Sequence, residues 1–445
     1  GHTGADQVRT ATIKTLLGCA ALVALVACEQ NDVILAGDRE GIRPEDPTLA
    51  PEASTPDQLR LAAATRNANW LQGHGTPATR TDHPAFGTAL RALWSAPIGQ
   101  GDKRKFRITA DPVVANGRIF TLDSDAQVTA TSTAGETLWT HDLAPLRDVG
   151  GQGSGGGLAY GDGRLYVTSG YGSVTAIDPA SGAEIWSQKL QASGSGSPTY
   201  GGGLLYLVAG DKTAWALEAD TGRIRWQLDG LESVNNVHGG PAPALTDQFV
   251  IFGYGSGDLQ GAFRKGGLSM WNATIAGTRD GFAINRVSDI TGDPVVVGNT
   301  VYAANHSGRL VALNAGSGKR QWTVRDAALQ PVWVTGGAVF FVSDRNELKR
   351  VNASDGAEVW SVELPGYTTQ RPKRRERIHG NYGPVLAGGR LYVAGGDGVL
   401  RAFDPASGQM VTSAEIPGGA TTNPVVANGV MYIVTKKGQL QAYGG

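Results

Sequence analysis

The sequence predicts an all-β fold: an eight-bladed β-propeller with four-stranded blades, whose ring is closed by an N-terminal strand completing the C-terminal blade. Glycine is abundant (64 of 445 residues), and charged residues make up only 18% of the chain. That composition is typical of many short strands joined by tight turns. The chain also repeats itself in units of roughly 40–50 residues, which is the period of four-stranded propeller blades.

Each repeat predicts four short strands. The first opens near a proline, as in "DPVVA" (111–115), and proline suits the first position of a strand because it has no N–H group to pair. The second follows a turn such as "ANG" or "GDG", whose residues accept the positive φ of a tight hairpin. The third alternates as V-x-A or L-x-A. The fourth follows Asp/Asn-x-x-x-Gly and reaches a tryptophan, as in "DPASGAEIW" (178–186).

The number of repeats predicts how the ring closes. Eight first strands begin near residues 111, 157, 197, 242, 293, 330, 383 and 423. The unit at 423–445 lacks a fourth strand, whereas "TALRALWSAPIG" (88–99), upstream of the first unit, carries Trp94 and has no partner. We therefore predict that 88–99 completes the eighth blade and leaves no sheet edge open. The alternative is seven blades and a loose hairpin.

An export signal is predicted over residues 1–27, of which the first six are similar to a tag remnant or an over-long start. Its apolar run, "LLGCAALVALVAC" (16–28), is too short to span a bilayer and suits a signal-peptide core. The run ends in Leu25-Val26-Ala27-Cys28, which resembles the lipobox of bacterial lipoproteins. That resemblance implies cleavage before Cys28 and its lipidation, palmitate included; the alternative is an ordinary signal with a chance cysteine.

The residue after the cysteine favours one membrane. Lipoproteins retained in the inner membrane usually carry aspartate there, whereas this chain has Glu29. The resemblance therefore implies a protein anchored in the outer membrane and facing the periplasm.

Residues 28–69 are predicted to form the lipidated cysteine and a flexible tether, because the segment is polar, bears prolines and has too little apolar surface to offset its ordering entropy. Residues 70–445 are predicted to form the propeller.

No catalytic, cofactor-binding or metal site is predicted. The formal net charge of −1 argues against a nucleic-acid partner. The seven histidines show no metal-binding spacing, and no Ser/His/Asp arrangement stands out. The glycine-rich run at 150–157 lacks the Gly-Lys-Ser/Thr ending of a phosphate loop, so a flexible connector is the simpler interpretation.

The repeat pattern Ala176-x-Asp178-x-x-x-Gly182-x-x-x-Trp186 resembles the tryptophan-docking repeat of eight-bladed quinoprotein propellers. In that superfamily the tryptophans wedge neighbouring blades together. The resemblance implies this structural role for Trp94, Trp139, Trp186, Trp226, Trp271, Trp322 and Trp360. The superfamily contains quinone-dependent dehydrogenases and scaffolds without a cofactor. The scaffold branch is favoured here because the adjacent cysteine pair, the calcium-binding Glu/Asn/Asp set and the long insertions of the dehydrogenases are not found in the sequence.

A lipobox, a tether and a bare eight-bladed ring together resemble the BamB-type lipoproteins of the outer-membrane β-barrel assembly (BAM) machinery. The likeness covers most of 88–445 and is sharpest at 284–322, where Arg286, Ser288 and Asp289 match the family's Arg-x-Ser-Asp loop. The resemblance implies that this loop, and the loop one blade earlier, bind the periplasmic POTRA domains of BamA. The earlier loop contributes Asn235, Val237 and His238; the family can place an arginine flanked by leucines where this chain has Val237 and His238.

The loops that join blades also bring basic residues to one rim: Lys103, Arg104, Lys105, Arg107, Lys373, Arg374, Arg375 and Arg377. Segregated positive charge predicts an acidic protein partner or anionic head groups, and the alternative is merely solvated loop charge. The sequence thus predicts a non-enzymatic scaffold lipoprotein of the BAM complex that assists folding and insertion of β-barrel proteins, with unfolded barrels as clients. The alternatives are a quinone-dependent dehydrogenase-like propeller and a ligand-binding propeller that uses its central channel.

Overall fold

Strands account for the regular structure of the computed structural model. It describes residues 46–52, 54–73, 75–77, 83–104, 106–145, 155–190, 196–209, 213–229, 241–254, 258–274, 292–305, 308–365 and 380–445. Those residues form 32 strands and no helix, and the strands make eight four-stranded sheets. The predicted all-β propeller with eight blades is confirmed, and the seven-blade alternative is excluded.

Blades 1 to 4 follow one another along the chain. Blade 1 contains β2–β5: Val113–Ala115, Arg118–Leu122, Gln127–Ser132 and Thr137–Asp142. Blade 2 contains β6–β9: Gly156–Gly161, Arg164–Ser169, Ser173–Ile177 and Glu184–Lys189. Blade 3 contains β10–β13: Thr199–Gly201, Leu204–Ala209, Thr213–Glu218 and Ile224–Asp229. Blade 4 contains β14–β17: Ala244–Leu245, Phe249–Gly253, Asp258–Phe263 and Ser269–Thr274.

Blades 5 to 7 repeat the pattern, and blade 8 breaks it. Blade 5 contains β18–β21: Val295–Val297, Thr300–Asn305, Arg309–Asn314 and Arg320–Val324. Blade 6 contains β22–β25: Trp333–Thr335, Ala338–Val342, Glu347–Asn352 and Glu358–Glu363. Blade 7 contains β26–β29: Asn381–Ala387, Arg390–Gly395, Val399–Phe403 and Met410–Glu415. Blade 8 contains β30–β32 (Val425–Ala427, Val430–Val434, Gln439–Gly444) and β1 (Arg91–Pro97).

The ring closes by pairing between distant parts of the sequence. Strand β1 lies antiparallel to β32, with Trp94 opposite Ala442 and Pro97 opposite Gln439. Because β1 is the outermost strand of this sheet, it takes the place that a fourth strand fills in the other blades. The predicted closure of the ring by the N-terminal strand is therefore confirmed.

Antiparallel order gives the ring two different faces. The loops between strands 1 and 2 of every blade, and between strands 3 and 4 of blades 1 to 7, emerge on one side, here called the turn face. The loops between strands 2 and 3, and the connectors from strand 4 to the next blade, emerge on the other, here called the connector face. Tight turns define the first face: in blade 1, Asn116 (φ 50°) and Gly117 (φ 72°) have the positive φ that a two-residue hairpin needs.

Indole rings seal seven of the eight junctions between blades. In each, the Nε1–H group of a tryptophan donates to a backbone carbonyl of the next blade at 2.9–3.0 Å. The indole ring lies over a glycine of that blade, the one in the turn before its fourth strand, here called the motif glycine. A Cβ added to this glycine would lie 2.5–2.9 Å from the indole. The pairs are Trp94–Gly135, Trp139–Gly182, Trp186–Gly222, Trp226–Gly267, Trp271–Gly318, Trp322–Gly356 and Trp360–Gly408. Glycine is thus required both by its positive φ and by its lack of a side chain.

A non-repetitive segment, residues 47–90, is here called the strap, and most of its described residues lie across the turn face. Leu49 pairs in parallel with Thr323 at the outer edge of blade 5, and Asp57 accepts and donates hydrogen bonds at blade 6. Asn67 bonds to Val426 and Asn428 of blade 8. The segment 28–69, predicted as a flexible tether, is described only from residue 46; from Pro47 on, the chain belongs to one compact unit that extends to Gly445.

Further along, the strap meets the inner strands one after another. Trp70 exchanges two backbone hydrogen bonds with Val114 of blade 1 at 2.8 Å, and the next strap residues bond to Tyr160, Tyr200 and Leu245 of blades 2, 3 and 4. Trp70 is fully buried and packs on Trp333 of blade 6 with ring centroids 6.3 Å apart. After that, residues 83–86 cross blade 7. The described strap residues therefore contact all eight blades, seven of them at the turn face and blade 5 along its outer strand.

Candidate functional site

The connector face is the candidate interaction surface, because the strap occupies the turn face. The strap also enters the central channel. A Cβ built on Gly73 would lie 3.6 Å from Asp293 Oδ2 and 3.9 Å from Asp111 Oδ2, and these aspartates precede the first strands of blades 5 and 1. Blades 1 and 5 face each other across a ring of eight. Gly73 thus lies between opposite walls of the channel.

The predicted docking residues lie outside the described residues. Those are Asn235, Val237 and His238 in the connector from blade 3 to blade 4, and Arg286, Ser288 and Asp289 in the connector from blade 4 to blade 5. Residues that closely follow the two segments meet, because the backbone N–H of Ala242 donates to Asp293 Oδ1 at 2.7 Å. Cys28, Lys105 and the basic residues at 373–377 are also outside the described residues.

The connector from blade 8 to blade 1 is described except at residue 105, and an aspartate holds it in place. Asp102 Oδ1 accepts the Ile108 N–H at 2.7 Å, and Asp102 Oδ2 accepts the Thr421 hydroxyl at 3.1 Å. The Asp102 N–H donates to the Lys436 carbonyl at 2.6 Å. Burial raises the pKa of Asp102, although these hydrogen bonds and the charges of Arg107 and Lys436 oppose the rise. Asp102 thereby joins the connector to Thr421 through its side chain and to Lys436 of blade 8 through its backbone.

A second aspartate fixes the start of the same connector on blade 1. Asp123 Oδ2 accepts the Gln100 N–H at 2.8 Å, and Asp123 Oδ1 accepts the backbone N–H groups of Asp125 and Gln127. Burial raises the pKa of Asp123 as well, against the effect of those three backbone hydrogen bonds. The connector is therefore bound at both ends by carboxylates that accept main-chain donors, which makes it a rigid part of the face.

Amide and carboxylate groups link the inner ends of the blades. The Asn423 side-chain amide donates to Asp111 Oδ2 at 3.1 Å and to Gln330 Oε1 at 3.0 Å, so blades 8, 1 and 6 meet in one polar contact. Within the described ranges, no group of three or more His, Cys, Asp or Glu side chains is arranged to hold a metal ion. The same ranges contain no helix with the length and hydropathy needed to cross a membrane.

These features define the class of the protein. It is an eight-bladed β-propeller whose blades are joined by docking tryptophans and whose turn face is crossed by its own strap. A family model described as "Outer membrane protein assembly factor BamB" matches residues 124–362 and 345–444. The chain belongs to this family.

Proteins with that name are similar to this chain over most of its length. The BamB of Moranella endobia (strain PCIT) is 24% identical over 358 residues, which cover 79% of this chain and 89% of that protein. The BamB of Escherichia coli (strain K12) is 25% identical over 350 residues, covering 78% and 86%.

Solved structures show a similar ring. The crystal structure of BamB from Moraxella catarrhalis has a TM-score of 0.65 at 18% identity and covers 80% of this chain and 100% of its own. The quinohemoprotein alcohol dehydrogenase from Comamonas testosteroni also has a TM-score of 0.65, at 15% identity, covering 86% and 82%. Likeness at these identities concerns the fold alone.

Proposed function

We propose that this protein is a non-catalytic scaffold of the outer-membrane protein assembly complex, and that it docks on the periplasmic POTRA domains of BamA. Family membership is the observation that carries the proposal, since the family model spans most of the propeller. In this proposal the protein faces the periplasm, held at the outer membrane by lipidated Cys28, and its clients are unfolded β-barrel proteins.

Two structural features support docking through the connector face. Described strap residues contact seven blades at the turn face, mostly at the inner strands and the turns that follow them, so the inner part of that face is already engaged within the protein. The Ala242–Asp293 hydrogen bond also brings together the residues that follow the two predicted docking loops. A single partner surface would then meet Asn235, Val237 and His238 together with Arg286, Ser288 and Asp289.

The scaffold would act through a rigid ring, from whose connector face the predicted docking loops arise. Seven junctions packed by tryptophan, together with the strap, keep the blades in fixed positions. Binding therefore loses little conformational entropy in the propeller itself. A lipid anchor would confine the ring to the membrane surface and raise its effective concentration beside a membrane-embedded partner.

Binding of the full chain to the isolated periplasmic domains of BamA from the same organism tests the proposal. We expect the double substitution Arg286→Glu/Asp289→Lys to weaken binding about tenfold or more, because reversing charges at an interface leaves both partners unpaired. The matched control is Asp220→Lys/Arg223→Glu, which reverses the same charges at the same spacing in an exposed turn of blade 3 on the turn face. If the native chain does not bind, or both double variants bind equally, the proposed docking mode is wrong.

A further inference from the structure

A ridge of five basic residues lies where the connector from blade 8 to blade 1 meets the loop between strands 2 and 3 of blade 8. Lys103, Arg104, Arg107 and Lys437 are exposed, and Lys436 is half-buried. We call this group the basic ridge. The whole chain has a net charge of −1, whereas here five cations outnumber the two carboxylates, Asp102 and Asp397, that act on Lys436, which is a local excess of positive charge.

Backbone contacts build the basic ridge from two segments that are far apart in sequence. The Asp102 N–H donates to the Lys436 carbonyl at 2.6 Å, and the Ile98 N–H donates to the Gly438 carbonyl at 2.9 Å. Gly101 lies directly on the backbone of Lys436 and Lys437, where a Cβ would not fit. Lys103 and its neighbours therefore keep a fixed position relative to the two lysines of blade 8.

Hydrogen bonds also hold the described residues at the tip of the connector. The Lys103 N–H donates to the Phe106 carbonyl at 2.6 Å, and the Phe106 N–H donates back to the Lys103 carbonyl at 3.2 Å. This tight turn points Lys103 and Arg104 outward, and both are exposed. The cations thus stand on a backbone that binding would not need to order, which lowers the entropic cost of recruiting an anionic partner.

Like charges held close together repel one another, and in the basic ridge this repulsion acts on the pKa of Lys436. Burial lowers the pKa of Lys436, and the positive charge of Arg107 lowers it further, while Asp102 and Asp397 act in the opposite direction. Asp397 is also paired with Arg401 at 2.7 Å. The acidic groups beside Lys436 are thus engaged within the protein, and the exposed Lys103, Arg104 and Lys437 are the cations that a partner would meet.

The surroundings favour a protein rather than a membrane as the occupant. Membrane-surface binding by basic segments is strengthened by apolar side chains that enter the bilayer beside the charges. The exposed large apolar side chains of the described residues lie elsewhere: Val297 is beside a turn of blade 5, and the others lie at or just before the turn-face ends of outer strands. Those others are Leu93, Leu138, Ile185, Ile224, Leu268, Met270, Met410 and Val411.

We propose that the basic ridge is a docking site for an acidic segment of a protein partner. It lies on the same face as the predicted BamA loops but on the far side of the ring, because the connector from blade 8 to blade 1 is opposite the connector from blade 4 to blade 5. The proposal does not depend on the docking function proposed above.

Fluorescence anisotropy with a fluorescein-labelled oligoglutamate peptide tests the site in the full chain, at about 20 mM and about 150 mM salt to vary the screening. We expect Lys103→Glu/Arg104→Glu/Lys437→Glu to weaken binding about tenfold or more at the lower salt, since attraction becomes repulsion at three points. The control Arg223→Glu/Lys265→Glu/Lys319→Glu makes the same charge change at three exposed residues of the turn face and should change binding less than about twofold. An oligoglutamine peptide should not bind.

A parallel arm uses vesicles of phosphatidylglycerol and phosphatidylethanolamine. Selective loss of peptide binding in the ridge variant, with vesicle binding weak or equal among all variants, supports the proposal. Equal weakening in the two triple variants would show that only net charge matters, and loss of vesicle binding without loss of peptide binding would identify a membrane site instead. Either result, or no peptide binding by the native chain, overturns the proposal.

Discussion

The junction between blades 7 and 8 differs from the other seven, and the difference explains where tryptophan occurs. Position 412 corresponds to the docking tryptophans, because Thr412 pairs with Ala402 as Trp186 pairs with Ala176. In blade 8, however, strands β32 and β1 come from opposite ends of the sequence and no turn joins them. Gly445 lies against Gly87 there instead of a motif glycine in a tight turn. The tryptophan is therefore retained only where the next blade provides a glycine surface.

The strap supplies the aromatic side chain that blade 7 lacks in the absence of a docking tryptophan. In six blades the docking tryptophan also packs on an aromatic residue of its own second strand, with ring centroids 5.9–6.1 Å apart. Tyr392 is the equivalent aromatic residue of blade 7, and its partner is Phe86 of the strap at 5.3 Å. The Gly388 N–H also donates to the Pro84 carbonyl, and the Tyr443 hydroxyl donates to the Glu415 carbonyl across the junction. The strap is thus part of the ring's closure.

Deleting residues 88–98 should have the largest effect. The deletion removes β1, the Trp94 contact with Gly135 and the buried Ala96 and Ile98. Because the stability of a whole domain is only about 5–15 kcal/mol, we expect the cooperative unfolding transition to be lost. Differential scanning calorimetry would show this, and a transition within a few degrees of the native one would contradict closure by β1.

The second-largest expected effect is the difference in stability loss between a junction with a docking tryptophan and the junction between blades 7 and 8. We expect Trp322→Ala to lower the free energy of unfolding by about 3–5 kcal/mol, since Trp322 is buried between Tyr302 and Gly356. The equivalent Thr412→Ala should cost less than about 1 kcal/mol. Urea unfolding of both variants measures the difference. Equal costs would mean that the two junctions do not differ as described.

Phe86→Ala tests whether the strap replaces a docking tryptophan. Phe86 is 7% exposed and packs edge-on against Tyr392. We expect a loss of about 3 kcal/mol in the free energy of unfolding, well above that of Thr412→Ala. A loss no greater than that of Thr412→Ala would show that the strap only covers blade 7 and does not stabilise it.

The smallest expected difference separates two requirements on the motif glycine: its positive φ and the space that its missing side chain leaves for the indole. Gly117→Ala meets no atom within 4 Å at φ +72°, so it should cost about 1–2 kcal/mol for the left-handed backbone alone. Gly356→Ala, at φ +76°, also brings a Cβ to 2.8 Å from the Trp322 ring and should cost a further 1–3 kcal/mol, roughly. Equal losses in urea unfolding would show that the indole moves aside without cost.

The sequence predicted the ring because its repeats encode local chemistry. A turn glycine and a tryptophan four residues later specify both a hairpin and contacts between neighbouring blades, and this pattern occurs in six copies, with a seventh, at Gly408, that carries Thr412 in place of tryptophan. Closure followed from a missing fourth strand and a surplus Trp94. The predicted docking residues, from Asn235 to Asp289, lie outside the described ranges and remain predictions.

The strap and the basic ridge were harder to predict, for physical reasons. The strap is polar and non-repetitive, and it is held mainly by hydrogen bonds to turns that are distant in sequence, so its composition indicated a tether. The one signal was Trp70, a tryptophan outside the repeat. The basic ridge depends on contact between residues 99–108 and 435–438, and no local pattern joins Lys103 to Lys436.

Hydrogen–deuterium exchange of the full chain, with and without the periplasmic domains of BamA, tests the central claim that partners dock on the connector face. We predict slower exchange in the connectors at 230–243 and 275–294, with no change in the strand 3–4 turns at 178–183 and 218–223. Protection confined to those turns or to the strap would contradict the account.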